Sequence, residues 1–260
     1  MELEILGSGT SHGIPVIGCD CPVCRSGDSR DNRTRASALF RGDSGESVLV
    51  DAGPEFRVQA IRAGLTRLDA VLVTHTHADH VHGFDDLRIF SYERRLPVYA
   101  SAADIAEIRE RFSYAFRPTQ EGGGKPRLDL IAVDGPVRVG DLEFIPIPLL
   151  HGELPVLGWR CGDIAYLTDA SAIPESSFAL LEGTKRLVID ALRLRSHPTH
   201  FNFRDALAAI ERIAPDEAWF THLCHDFSHE GIMDWLRTNA PGKKIEPVYD
   251  GLRISADGRD

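Results

Sequence analysis

Six apolar runs in this chain each end on a histidine or an aspartate. "SVLVDAG" closes on Asp51, "AVLVTH" on His75, "IPIPLLH" on His151, "IAYLTD" on Asp169, "RLVID" on Asp190 and "EAWFTH" on His222. Short runs of this kind read as buried strands, and strand ends in a layered sheet converge on one edge. Residues distant in sequence therefore meet there. Imidazoles and carboxylates gain nothing inside a core, so gathering them at one edge points to a site that handles charge.

The rest of the chain supports a layered α/β reading. Further strand-like runs cover residues 2–6, 97–99 and 252–255, and the six runs above place strands at 47–50, 70–73, 142–150, 164–167, 187–189 and 217–220. Helical patterns cover 55–63, introduced by Pro54 and closed by Gly64, and 102–112, with Ser101 as N-cap. Others cover 176–182, 203–213 with Asn202 as cap, and 230–238. The one clear breaker cluster, "TQEGGGKPR" at 119–127, splits the chain into two β-then-α halves. We expect one compact domain over residues 1–260.

The stretch "VLVTHTHADHVHG", residues 71–83, sets four imidazoles and a carboxylate directly after a strand. Protons alone rarely need so many imidazoles together; a divalent metal does. In a tight loop His75 and His77 can chelate one ion while Asp79 and His80 turn toward a second, about 3.5–4 Å away. His82 falls on an unconstrained position and reads as a first-turn helix residue. Asp190 can either support the site or form a strand-end turn.

Charge and cysteine content narrow the class. A net charge of −10 disfavours a long nucleic-acid track. No apolar run is long enough to span a membrane, and "MELEILGSGTSHG" lacks the basic and apolar regions of a signal peptide. Of five cysteines, three crowd into "CDCPVC", which suggests metal chemistry in a reducing cytoplasm. Cys19, Cys21 and Cys24, with Pro22 forcing a turn, suit a closed tetrahedral structural zinc that needs a fourth ligand. Cys161, Cys224, His225 and His12 are the candidates. Cys161 reads as a plain strand residue and Cys224 as a small buried one.

His75-Thr76-His77-Ala78-Asp79-His80 resembles the H-x-H-x-D-H signature of the metallo-β-lactamase superfamily. The resemblance implies an αββα sandwich, two β-sheets flanked by helices. It also implies the remaining ligands: His151 for the first metal, Asp169 as bridging carboxylate and His222 for the second metal. Asp51, in Asp51-Ala52-Gly53, matches the strand-end aspartate whose hydrogen bond orients a ligand imidazole. The N-terminal segments Gly7-Ser8-Gly9-Thr10, Gly13-Ile14-Pro15 and Gly18-Cys19-Asp20-Cys21-Pro22-Val23-Cys24 narrow the resemblance. They are similar to PhnP-type phosphodiesterases, the phosphoribosyl cyclic phosphate hydrolases of phosphonate breakdown. That resemblance implies His225 as the fourth zinc ligand, and it implies a homodimer.

A hydroxide bridging two ions attacks phosphorus at neutral pH, and the same ions neutralise the phosphoryl charge. Zinc, manganese, iron and nickel all suit imidazole and carboxylate ligands. A departing sugar alkoxide needs a proton. The resemblance places a histidine for that task within "RSHPTHFNF", where His200 is favoured and His197 reads as a loop residue. The expected catalytic set is thus His200 with Asp79 and Asp169. The expected substrate is a small phosphorylated sugar or nucleotide diester, foremost 5-phosphoribosyl 1,2-cyclic phosphate giving ribose 1,5-bisphosphate. An RNase Z-like nuclease would want a longer arm than residues 119–127. A thioester or lactam hydrolase would lack the cysteine motif.

Overall fold

A computed structural model describes residues 1–118 and 124–256, so part of the breaker cluster, residues 119–123, lies outside the described residues. Among the described residues, fourteen strands form two seven-stranded sheets. The first sheet contains β1 (Glu2–Gly7), β2 (Ser37–Arg41), β3 (Ser47–Val50), β4 (Ala70–Leu72), β5 (Leu96–Ala100), β6 (Leu128–Ala132) and β14 (Arg253–Ser255), in the order β14-β1-β2-β3-β4-β5-β6. The second contains β7 (Val137–Val139), β8 (Leu142–His151), β9 (Leu154–Cys161), β10 (Ile164–Leu167), β11 (Arg186–Asp190), β12 (Glu217–Thr221) and β13 (Ile245–Pro247), in the order β13-β12-β11-β10-β9-β8-β7.

Strict alternation explains why two sheets pack face to face. Val48, Val50, Ala70 and Leu72 point to the inter-sheet core, where they meet Phe144, Trp159, Tyr166 and Val188 of the second sheet. The intervening Leu49, Val71 and Val73 face outward against Phe56 and Ile108. These come from α1 (Phe56–Arg62) and α3 (Ala102–Arg111). On the other side Leu167, Leu187, Ile189 and Phe220 pack against Phe203, Ile210, Ile232 and Leu236. Those belong to α6 (Phe203–Ile213) and α7 (His229–Asn239). Both faces of each sheet are covered, giving helix–sheet–sheet–helix layers. The remaining helices are α2 (Ala78–Val81), α4 (Ser113–Phe116) and α5 (Glu175–Leu180).

The expected caps form. Ser101 Oγ accepts from the Asp104 N–H, and the Asn202 side chain accepts from Arg204 and Asp205. One expectation needs correction. His82 is the C-cap of the single turn α2 and not a first-turn residue, because α2 starts only after His77 and Gly83 follows at once.

Candidate metal centre

The central strands β3 and β4 run parallel, as do β10, β11 and β12. Their carboxyl ends therefore share one edge of the sandwich. Just beyond them the backbone turns sharply: Asp51 (φ 61°), Asp169 (φ 55°) and His222 (φ 59°) all adopt the left-handed conformation. Side chains rarely accept that geometry, and it concentrates where a site must be aimed.

The ligand candidates come together there. Nitrogen and oxygen atoms of His75, His77 and His151 lie within 4.8 Å of one another, as do those of Asp79, Asp169 and His222, and those of His75, His80 and Asp169. His80 Nε2 sits 3.2 Å from oxygens of both Asp79 and Asp169, and His222 Nδ1 is 3.1 Å from Asp169 Oδ2. Asp169 thus stands between both groups. The buried Nε2 atoms of His75 and His80 make no hydrogen bond. An unpaired buried ring nitrogen costs about 1–3 kcal/mol, which a cation between these groups would recover. The donor set of imidazoles and carboxylates fits two divalent ions.

His80 and His151 are each aimed through Nδ1. Asp51 Oδ2 lies 2.7 Å from His80 Nδ1, while its two oxygens also take the N–H and Oγ1–H of Thr74. His151 Nδ1 donates to the Thr199 carbonyl at 2.7 Å. Such contacts fix tautomer and ring orientation. Burial pushes His75 well below the usual imidazole range and His151 down to about 4. Burial opposes charge on His80 too, but Asp169, Asp51 and Asp79 together hold it well above that range. Asp169 is likewise held well below the carboxylate range, because His222 and His80 outweigh the burial that would raise it. This interlocked charge is what two cations would replace.

Away from this edge, Sγ of Cys19, Cys21 and Cys24 lie 3.4, 3.5 and 3.4 Å from Nδ1 of His225. All are free thiols, and the four atoms form a closed group suited to one soft-ligand ion. His225 follows His222 by one turn of chain, so the knuckle is tied directly to the strand-end site. Cys161 is buried at the end of β9, and Cys224 is half-buried; neither joins the group. His12 is exposed and also stays apart.

Residues 46–223 match the family described as a β-lactamase superfamily domain. A solved structure described as a new diphosphatase from the PhnP family is 38% identical, with a TM-score of 0.88, covering 97% of this chain and 96% of that one. The chain belongs to the PhnP family of the β-lactamase superfamily. A Porphyromonas gingivalis (strain ATCC BAA-308 / W83) protein named octanoyltransferase is 41% identical over 99% of this chain, yet the chain spans only 52% of its length. Zinc-bound PqqB from Methylobacterium extorquens shares the fold at 20% identity and a TM-score of 0.79, covering 98% of this chain and 100% of that one.

Within this PhnP-family chain, His200 also reaches the edge: it groups with His151 and Asp169. Its Nδ1 donates to Asp190 Oδ2 at 2.7 Å, which resolves the open reading of Asp190 as support for the site. His197 stays in the loop, its Nδ1 accepting from the Thr199 N–H. Besides Thr74 and Thr199, sequence reasoning missed two further contributors. Thr10 Oγ1 lies 3.1 Å from His222 Nε2, and Thr168 Oγ1 donates to Asp169 at 2.7 Å. For Thr10 a signal existed, since it ends the Gly7-Ser8-Gly9-Thr10 segment.

Proposed function

We propose that this protein is a metal-dependent phosphoric diester hydrolase acting on a small phosphorylated substrate. The observation that carries the proposal is the strand-end cluster with a buried Asp190–His200 pair beside it. His75, His77 and His151 would hold one ion; Asp79, His80 and His222 the other; Asp169 would bridge them. Two such ions, zinc or manganese foremost and iron or nickel otherwise, supply an activated water at neutral pH and neutralise phosphoryl charge. Asp79 and Asp169 set the charge of that centre. His200, steadied by Asp190, delivers a proton to the departing sugar oxygen. A structural zinc on Cys19, Cys21, Cys24 and His225 would pin the N-terminal loop against the segment carrying His222. The free cysteines suit a reducing, cytoplasmic setting.

The leading substrate is 5-phosphoribosyl 1,2-cyclic phosphate. A second reading is a disubstituted diphosphate, favoured by the 38% identical relative described as a diphosphatase. Both present an anionic phosphorus carrying two bridging oxygens, so one site can serve either. The octanoyltransferase name belongs to a protein about twice this length, which makes acyl transfer a weaker reading. The test is a panel on the metal-loaded protein: the cyclic phosphate, diadenosine diphosphate, an octanoyl thioester and nitrocefin. Release of ribose 1,5-bisphosphate or AMP supports phosphoryl chemistry. Turnover of the thioester or lactam alone would overturn it.

A further inference from the structure

One surface of this acidic protein is strongly basic. An open cavity of about 630 Å³ is lined by Arg95, Arg109, Arg117, Lys125 and Arg127, with no acidic side chain among its described lining residues. These cations come from the start of β5, from α3, from the end of α4 and from the approach to β6. Nearby Arg88, Arg94 and Arg111 pair with Asp85, Asp69 and Glu107. Arg95, Lys125 and Arg127 instead donate to the backbone carbonyls of Leu128, Arg117 and Tyr92, which hold them in place without neutralising their charge.

Two aromatic side chains complete the cavity. Tyr92 is 58% exposed, and Arg109 lies over the Phe116 ring at 5.2 Å from its centroid. None of the lining residues belongs to the metal-ligand groups. The wall is nonetheless part of the helix that braces them: Arg111 donates to the Thr76 carbonyl at 2.6 Å, and Thr76 Oγ1 donates to Asp104.

We propose that this cavity binds a nucleoside diphosphate, its phosphates among the arginines and its base on Tyr92 or Phe116. Clustered guanidinium groups match phosphate oxygens in pairs, and an aromatic face accepts any base. The volume lies within the usual range for a small-molecule site.

The test is calorimetric titration of the metal-loaded full chain with ADP and with inorganic pyrophosphate, at low and at raised salt. Saturable ADP binding that weakens with salt is expected. Arg117→Glu, whose side chain is exposed, should weaken it roughly tenfold or more while hydrolysis of bis-p-nitrophenyl phosphate is unchanged. Asp169→Ala should bind ADP as the unaltered protein does. Equal affinity in Arg117→Glu, or binding lost in Asp169→Ala, would place ADP at the metal centre and overturn the proposal. Pyrophosphate binding as tightly as ADP would overturn the nucleoside assignment.

Discussion

His200 Nδ1 donates to Asp190 Oδ2 at 2.7 Å, and the same carboxylate oxygen accepts the Ala170 N–H at 2.9 Å. Asp190 is fully buried, so its hold on the ring is not shared with solvent. The His200 ring therefore stands at a fixed angle, with centroids 4.6 Å from His151 and 4.7 Å from His222. His200→Ala should slow opening of a sugar diester by roughly 10²–10⁴-fold, the range for general acid catalysis. A p-nitrophenyl diester, whose leaving group needs no proton, should lose far less. Similar losses on both substrates would remove His200 from proton transfer. Asp190→Ala should show a smaller version of the same split, with partial rescue in Asp190→Asn, whose amide oxygen can accept the same N–H.

The pH dependence follows from the protonation each step needs. His200 must carry its proton to act, so its contribution is present below its pKa and lost as pH rises through it. Burial lowers that pKa from its ordinary value. The attacking water must lose a proton, so rate also falls as pH drops. A bell-shaped kcat profile is expected on the sugar diester, with an early alkaline limb. On the p-nitrophenyl diester that limb should be missing. Coincident alkaline limbs would show that another group titrates.

Metal counting separates the two sites. Asp169 sits between both halves of the strand-end cluster, whereas Cys21 contacts only the knuckle. Elemental analysis should find three ions in the unaltered protein and fewer in Asp169→Ala, which keeps the knuckle ion and its fold and loses nearly all activity. Cys21→Ser should lower Tm and soluble yield, since a structural zinc contributes folding free energy. Equal loss of all ions from both variants would contradict two independent sites.

The strand ends carried most of what could be read without a structure. Ser47–Val50, apolar after its first residue, and Ile164–Leu167, apolar throughout, are bounded by turns, so their limits match the observed strands. The strands at Ser37–Arg41, Leu128–Ala132, Val137–Val139, Leu154–Cys161 and Ile245–Pro247 were not legible. Each carries a charged or proline residue that interrupts the apolar pattern, as edge strands such as β6, β7 and β13 tolerate. In the site, imidazole spacing pointed to the cluster, but nothing local in sequence shows that Thr199 lends its carbonyl to His151 or that Thr10 meets His222. Those contacts exist only once separate strands share an edge.

Gly53 is where the β3 end touches the histidine loop. A Cβ there would stand 2.1 Å from the Asp79 carbonyl oxygen, a backbone atom that cannot swing aside. The adjoining bond from Ala52 N–H to the His80 carbonyl, 2.8 Å long, locks the two segments together. Gly53→Ala should cost roughly 1–3 kcal/mol or more, as overpacking does. It should also weaken metal binding at Asp79 and His80. Urea unfolding with metal titration measures both, and an unchanged midpoint would show that the loop can retreat.

Proton competition should govern the knuckle. The Cys24 N–H donates to Cys21 Sγ and, as the chief influence, draws that thiol down to about 6; burial pushes Cys24 up to about 11. At neutral pH without an ion, Cys21 is thus a thiolate and Cys24 a thiol. Zinc must displace the Cys24 proton at neutral pH and, below about 6, the Cys21 proton as well. Each added proton to displace weakens zinc, so its affinity should fall as pH falls, and more steeply below the Cys21 value. Asp169→Ala treated with a mild chelator at neutral pH isolates the effect, because the weakened strand-end cluster empties first and the knuckle ion remains. Zinc release from that variant to a chromophoric chelator should increase as pH is lowered, more steeply below about 6, with Tm declining over the same interval. Retention unchanged down to about pH 4 would show that these thiols are not the groups competing with zinc for protons.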